Sequence, residues 1–358
     1  MTQYKYPFAF SEDASNQIKG QVELEQPLPY QSPSGGSGFY RPGRLELSDG
    51  NGIDLVLYHN PYTAAFIYIR DAIVDHDLLE LTGIPKAESK GIDHLHLPGQ
   101  LCMGSERTAL IGKAVEDIIG SPAFRPMITP LHQQNLAVFP IAREGLKYQV
   151  AEAIFNDYGY YCDEILLDAH HVFDISVPVY NRKVELGIFK DKDLNKGQKE
   201  KITVAFIADS IASGLVMKEV ISRINDRFGF IKHVEVVSPL TTIRGLCRLA
   251  QAEVGKKARI RVHIFETLLN ALPPDYYYSA HYNIPELHIV PELDQDYRTW
   301  WGVDANGNAI ADTACAGYGW SEAFYSPRKQ IQMMNGELGN RHGLTIADLI
   351  RRNLVLQK

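Results

Sequence analysis

The sequence predicts an α/β fold, a mostly parallel sheet with helices on both faces. Three observations predict it. Short, almost wholly apolar runs occur at 136–141 and 202–208, and 234–237 (VEVV) and 261–265 (RVHIF) read as further strands. Runs of that length without polar alternation read as strands covered on both faces. Between them lie amphipathic segments at helical spacing, at 145–158 and 215–227. Strand and helix patterns alternate along the chain with no internal repeat, as crossover connections in a parallel sheet require.

The elements follow in order. Residues 1–50 read as an N-terminal arm or extension. The stretch QPLPYQSPSGGSGFYRPGR, rich in Pro, Gly and Ser, predicts no regular element. Such an arm can lie across a partner subunit, which leaves a homodimer open. Periodic patterning starts at Asp54, with a helix over 64–81 interrupted before Gly83-Ile84-Pro85. A second helix covers 106–119 with Ser105 as its N-cap. A buried strand at 136–141 leads to a helix at 145–158, then to the short strand EILLD at 164–168. Residues 177–190 form a strand or hairpin, and 190–201 a charged exposed loop. The strand at 202–208 and the helix at 215–227 come next, followed by strands at 234–237 and 261–265. A closing helix covers 348–356. The division is an extension at 1–50, a main domain at 51–330 and a helical tail at 331–358.

Composition narrows the function. The chain has 358 residues, 45% hydrophobic and 22% charged, in the range of water-soluble globular proteins. Its net charge of −7 argues against a nucleic-acid partner, which needs a basic face. No apolar run is long enough to cross a bilayer. The start, MTQYKYPFAFSED, lacks an apolar signal core, so a cytoplasmic protein is expected. Cys102, Cys162, Cys247 and Cys315 are scattered and form no CxxC pair, which suits reduced thiols.

The most informative segment is VAFIADSIASG at 204–214. An apolar strand runs into Asp209, then small and hydroxylated residues to Gly214, then a helix. Strand, tight turn and helix N-terminus make an anion cradle: successive N–H groups and the positive helix end favour phosphate. An ordinary strand-to-helix turn has the same local pattern. Three further segments lie in a telling order. LAVFPIAREGL at 136–146 is a strand closed by Arg-x-Gly-Leu. HNPYTAAFIYIRD spans 59–71. Gly317-Tyr318-Gly319 lies far downstream.

Together these four segments resemble a type I phosphoribosyltransferase, closest to the uracil phosphoribosyltransferase subfamily, over roughly residues 54 to 325. The resemblance implies a type I phosphoribosyltransferase-like fold with a flap. It also implies transfer of phosphoribosyl from 5-phosphoribosyl 1-diphosphate (PRPP) to a nucleobase-like acceptor, with Mg²⁺. The alternative is a non-catalytic relative that binds a nucleotide or PRPP and reports on it. The PRPP contacts implied are Arg143, Glu144 and Gly145 in the diphosphate loop, and Asp209, Ser210, Ile211, Ala212, Ser213 and Gly214 in the ribose-phosphate turn. Arg143 would stabilise the departing diphosphate and Asp209 the ribose hydroxyls, and Asp209 would touch Mg²⁺ indirectly. Asp209 fills the second acidic place of the family motif, and Ala208 stands at the first. The family also implies a strained, non-proline cis peptide at Ala142–Arg143.

The flap interval of the family falls here on 177–201, with Arg182 and Lys183 as the residues able to reach the site. The acceptor loop falls on Gly317, Tyr318, Gly319 and Trp320. The subfamily continues this loop into an acid, where Trp320 stands here. An indole supplies no acceptor for a pyrimidine N–H but offers a flat stacking surface, which implies a modified or larger heterocycle than uracil. His94 and His96 form an HxH pair, and His170-His171 follow the EILLD strand. Either pair reads as structural or as a partial Zn²⁺ site, the HxH pair because it places two imidazoles on one strand face.

Overall fold

The computed structural model describes residues 4–11, 17–31, 36–98, 104–142, 145–172, 174, 176, 182–189, 194–252, 258–269, 286–301, 303 and 327–356. Its elements in chain order begin with β1 (Tyr4–Ser11), β2 (Gln17–Leu24), β3 (Leu28–Gln31), β4 (Ser37–Leu47) and β5 (Gly52–His59). Helix α1 (Pro61–Ile67), β6 (Ile69–Ile73), α2 (His76–Leu81), α3 (Lys86–Ser89) and β7 (His94–Pro98) follow. Next come α4 (Gly104–Ile119), α5 (Arg125–Ile128), β8 (Leu136–Pro140), α6 (Val150–Tyr158), β9 (Asp163–Glu164), β10 (Leu167–His171) and β11 (Val184–Phe189). The next group is α7 (Lys196–Lys199), β12 (Val204–Ala208), α8 (Leu215–Phe228), β13 (His233–Ser238), β14 (Thr241–Thr242) and α9 (Ile243–Ala250). The described chain closes with β15 (Arg259–Phe265), β16 (Thr267–Leu269), β17 (Leu287–His288), α10 (Pro291–Trp301), α11 (Pro327–His342) and α12 (Ile346–Leu356).

The main sheet runs β1-β2-β4-β5-β15-β13-β12-β8-β9, with β3 paired to β4. From β5 to β9 all neighbours are parallel. Alternation along these strands sorts their side chains onto two faces. Leu136, Val138, Val204, Phe206 and Ala208 join a core with residues of α1, α4 and α6. Ala137, Phe139, Ala205 and Ile207 join a second core with residues of α8 and α9. Both faces of the parallel strands are therefore covered, and the mostly parallel α/β architecture follows from residue periodicity. Among the described residues no helix is long and apolar enough to cross a membrane.

The first residues depart from the expected arm. β1, β2 and β4 extend the sheet antiparallel from β5, and Leu28–Gln31 pairs with Ser37–Tyr40. Ile18, Val22, Leu24, Leu45 and Leu47 are buried in the second core, where α9 packs against β4 and β5. Alternation in QIKGQVEL carried that signal, and the Pro/Gly-rich composition beside it masked it.

Three further elements differ. The helix expected at 64–81 ends at Ile67, and Tyr68 is extended, with φ −101° and ψ −155°. Residues 69–73 pair antiparallel with 94–98. Only Ile69 and Ile73 there are β-branched, so the distant partner is what decides. The helix expected at 145–158 is a 3₁₀ turn at Gly145–Lys147 followed by α6, with left-handed Gln149 (φ 53°) between them. The strand expected at 164–168 is divided: Asp163–Glu164 extends the parallel sheet, and Leu167–His171 pairs with β11 in a separate two-stranded ribbon. Helix α4 begins at Gly104, one residue before the expected Ser105 cap.

One buried polar chain crosses the first core. The Tyr58 hydroxyl lies 2.9 Å from Nδ1 of His263, and Nε2 of His263 lies 2.7 Å from Glu235. Arg261 Nε donates to the same Glu235 oxygen at 2.8 Å. Phe124 stacks on the imidazole at 4.0 Å between centroids. Burial pushes His263 down to about 4, so the ring is neutral. Burial also acts to raise Glu235, and His263 and Arg261 override it and hold the carboxyl below its ordinary value.

Candidate functional site

The parallel strands reverse their direction of winding at one place. From β8 the chain passes through α6 to β9 on one side, and from β12 through α8 to β13 on the other. Loops leaving the carboxyl ends of β8 and β12 therefore separate, and such a switch point is where open α/β sheets bind ligands. Both loops carry residues singled out in the sequence.

The two loops touch through a glycine. A Cβ on Gly145 would lie 2.6 Å from the Ala208 carbonyl oxygen, closer than real side chains approach. Gly145 therefore seats the β8 loop against the end of β12, a tighter constraint than approach to a ligand alone. The Ala142 N–H donates to Leu167 O at 2.5 Å, and Ile141 bridges Leu167 in parallel. Tyr148, fully buried, follows the 3₁₀ turn and brings its hydroxyl to 3.4 Å from Ser210 Oγ. Arg143 and Glu144, and the peptide expected to be cis, lie outside the described residues.

On the β12 side every strand residue is buried, and Asp209 stands just beyond the end. Its N–H donates to Val237 O at 3.2 Å, and its Oδ1 accepts from the Ser210 N–H at 2.8 Å. The residue is half-buried, and among the described residues no cation pairs with it. Burial pushes its carboxyl up to about 7, opposed by the Ser210 hydrogen bond. An acid in that state binds a proton, a cation or hydroxyl donors strongly.

The turn after Asp209 is held from the far side. Ile211 N–H donates to Leu240 O at 2.8 Å, and Ile211 O accepts from Thr242 N–H at 2.9 Å. Thr242 Oγ1 donates to Ala212 O at 2.6 Å, and Arg248 donates to Ser213 O at 3.0 Å. Carbonyls are thus tied back while the N–H groups of Ala212, Ser213 and Gly214 find no acceptor among the described residues. Gly214 is the N-cap of α8 at φ +76° and offers no side chain, while Ser213 Oγ accepts from the Leu215 N–H at 3.3 Å. That leaves the donor-rich, positive helix end of an anion cradle. Ser210 is half-buried, and Ile211 to Gly214 are buried under the start of α9, where a Cβ on Gly214 would meet Gly245 O at 2.6 Å.

The other expected residues are placed unevenly. Arg182 and Lys183 immediately precede β11, the strand that pairs with β10 in the ribbon. Lys183 is exposed, 3.5 Å from Glu185, and Arg182 is half-buried near His171. Burial, then Arg182 and His170, lower the His171 imidazole. Gly317, Tyr318, Gly319 and Trp320 lie outside the described residues. His94 and His96 are exposed on β7 on either side of buried Leu95, and His96 pairs with Asp71 at 3.2 Å. No metal-ligand cluster includes either histidine pair among the described residues.

Sequence reasoning missed a second polar group at the carboxyl ends of the sheet. Glu266, buried and left-handed at φ 56°, follows β15. Its carboxylate lies 2.9 Å from His59 Nδ1 and accepts from Thr63 Oγ1 at 2.5 Å. Burial raises the Glu266 carboxyl, and that carboxylate in turn raises His59 against its own burial. Left-handed backbone at a non-glycine residue marks this position as strained, and the sequence does not display it.

No protein-family model matches the chain, and no curated protein is similar to it in sequence. Solved structures align only at low similarity, two of them phosphoribosyltransferases by description. A hypoxanthine phosphoribosyltransferase from Staphylococcus aureus is 11% identical, with 50% of this chain and 89% of that chain covered and a TM-score of 0.28. An adenine phosphoribosyl transferase from Trypanosoma brucei, in complex with AMP, pyrophosphate and ribose-5-phosphate, is 10% identical, with 54% and 82% covered and a TM-score of 0.31.

Proposed function

We propose that this protein transfers phosphoribosyl from PRPP to a nucleobase-like nitrogen and releases diphosphate. The observation that carries the reading is the junction of the two loops at the switch point. Gly145 lies against Ala208 O, Asp209 stands beside it, and at the start of α8 the N–H groups of Ala212 to Gly214 have no acceptor among the described residues. Those parts suit a sugar phosphate: N–H groups for the 5′-phosphate, and a carboxylate for the ribose hydroxyls. Arg143 would meet the leaving diphosphate as charge grows on it.

The donor set fits Mg²⁺ held through water or diphosphate. Asp209 is a hard oxygen ligand with its charge uncompensated by any described cation, and Mg²⁺ accepts one or two carboxylates plus phosphate oxygens. When bound, the ion would neutralise the diphosphate. Asp209 itself would orient the ribose.

The acceptor we propose is a modified or larger heterocycle rather than plain uracil, stacked against Trp320 with Gly317 to Gly319 lining its pocket. A second reading is a PRPP- or nucleotide-binding protein without turnover. The burial of Ile211 to Gly214 under α9 favours it, because a covered turn opens less readily to a substrate. Incubation with PRPP, Mg²⁺ and a panel of free bases, read by diphosphate release, decides between them. Turnover with one base supports transfer, and PRPP binding without release supports the second reading. Turnover of uracil at a rate no other base exceeds would remove the argument from Trp320. Neither binding nor release would end both.

A further inference from the structure

Away from the switch point, Glu286, His288 and Asp294 bring one ligand atom each within 4.8 Å of one another. The local sequence explains the convergence. Glu286 and His288 are two apart on an extended segment, so both side chains leave one face. Asp294 lies in the first turn of α10, which folds back over β17. Nε2 of His288 is 3.1 Å from Asp294 Oδ1 and 3.5 Å from Glu286 Oε2. Those spacings bracket the roughly 3.3 Å edge of a tetrahedron built on bonds of about 2.0–2.1 Å.

The histidine is the independent sign of a ligand. Its side chain is 4% exposed, yet Nε2 makes no hydrogen bond of acceptable geometry and points between the two carboxylates. Its other nitrogen, Nδ1, lies 3.1 Å from the Tyr68 hydroxyl. Tyr68 is itself buried. An Nδ1–H donated to the Tyr68 oxygen would free the Nε2 lone pair and fix the ring plane, as outer partners of metal-bound histidines do. Arg298 donates to Asp294 at 2.7 Å and also to Glu286. It balances one of the two carboxylate charges, and a carboxylate oxygen has a second lone pair for a metal. Asp294 is 27% exposed, which leaves an entry path.

We propose that Glu286, His288 and Asp294 bind a divalent first-row transition ion such as Zn²⁺, with water completing the coordination. One imidazole with two carboxylates selects such an ion over Ca²⁺ or Mg²⁺, which prefer all-oxygen shells. The bound ion pins α10 to β17, and through β16 and β14 to the segment that bridges Ile211.

The test uses the full-length protein, stripped with chelator and titrated with Co²⁺ and with Zn²⁺ alone. We expect one ion per chain, with Co²⁺ giving visible ligand-field bands and raising the unfolding temperature. Tyr68→Phe should weaken binding about 10–100-fold, and His288→Ala and Asp294→Asn more, while His96→Ala leaves it unchanged. X-ray absorption on the wild-type Zn²⁺ complex should show one imidazole among oxygen ligands, and this measurement needs no variant. Absence of binding by wild type at 1:1 stoichiometry would overturn the proposal, as would an absorption spectrum without imidazole scattering. Wild-type affinity in folded His288→Ala would also overturn it. In each case the cluster would be a plain His–Asp–Arg ion-pair network.

Discussion

Replacing Asp209 with Asn should stabilise the protein and disable it at once. The carboxyl is pushed up to about 7 by burial, from an ordinary value of 3.8. A raised acid makes the folded state bind its proton more tightly than the unfolded chain does. The wild type therefore bears no penalty well below the ordinary value of 3.8, at about pH 2–3, where both states are protonated. The penalty grows as pH rises through the window between the two values and is complete above about pH 7. At about 1.36 kcal/mol per unit, the full penalty is up to about 4 kcal/mol, of which about 2–3 falls between pH 5 and pH 8. Asn keeps the acceptor for the Ser210 N–H and carries no charge to desolvate. Urea unfolding of both proteins from pH 5 to pH 8 should therefore show the Asn variant gaining on wild type as pH rises. Under the proposed function the same change should cost on the order of a hundredfold in rate. A stability difference that does not change with pH, or that shrinks as pH rises, would refute the reasoning.

Other predictions bear on separate parts of the account. Gly145→Ala forces a Cβ to 2.6 Å from Ala208 O. It should cost about 1–3 kcal/mol by denaturant unfolding and weaken PRPP binding measured by calorimetry. Glu235→Ala strips His263 and Arg261 of their buried partner and should cost roughly 3–5 kcal/mol. A loss below 1 kcal/mol would show that the polar chain is dispensable. Asn60 accepts from the N–H groups of Tyr62 and Thr63 at the start of α1. Asn60→Ala should lower stability by about 1 kcal/mol, readable as a shift in the thermal midpoint.

What was legible in the sequence was the part encoded locally. The runs at 136–140 and 204–208 are apolar on both faces because both faces of their sheet are covered, so pattern alone places them. Asp209 and Gly214 were legible because a strand end and a helix start leave few residues to make the turn between them. The parts not legible depend on distant partners. Residues 69–73 become a strand through pairing with 94–98, and the Pro/Gly-rich start becomes sheet because β4 finds β5. Gly145 was singled out, and its contact is with Ala208 O, which only the packed strands reveal. Glu286, His288 and Asp294 were passed over, although an E-x-H spacing on an extended segment was a readable hint. The closing acid comes from a helix whose docking the sequence does not display.

The most direct test of the central claim is a crystal structure of the protein with PRPP and Mg²⁺. The expected result is the 5′-phosphate on the N–H groups of Ala212 to Gly214, the ribose hydroxyls on Asp209, and the diphosphate beside the loop from Ala142 to Gly145. PRPP bound elsewhere, with the turn still closed beneath α9, would contradict it and leave this segment an ordinary strand-to-helix junction.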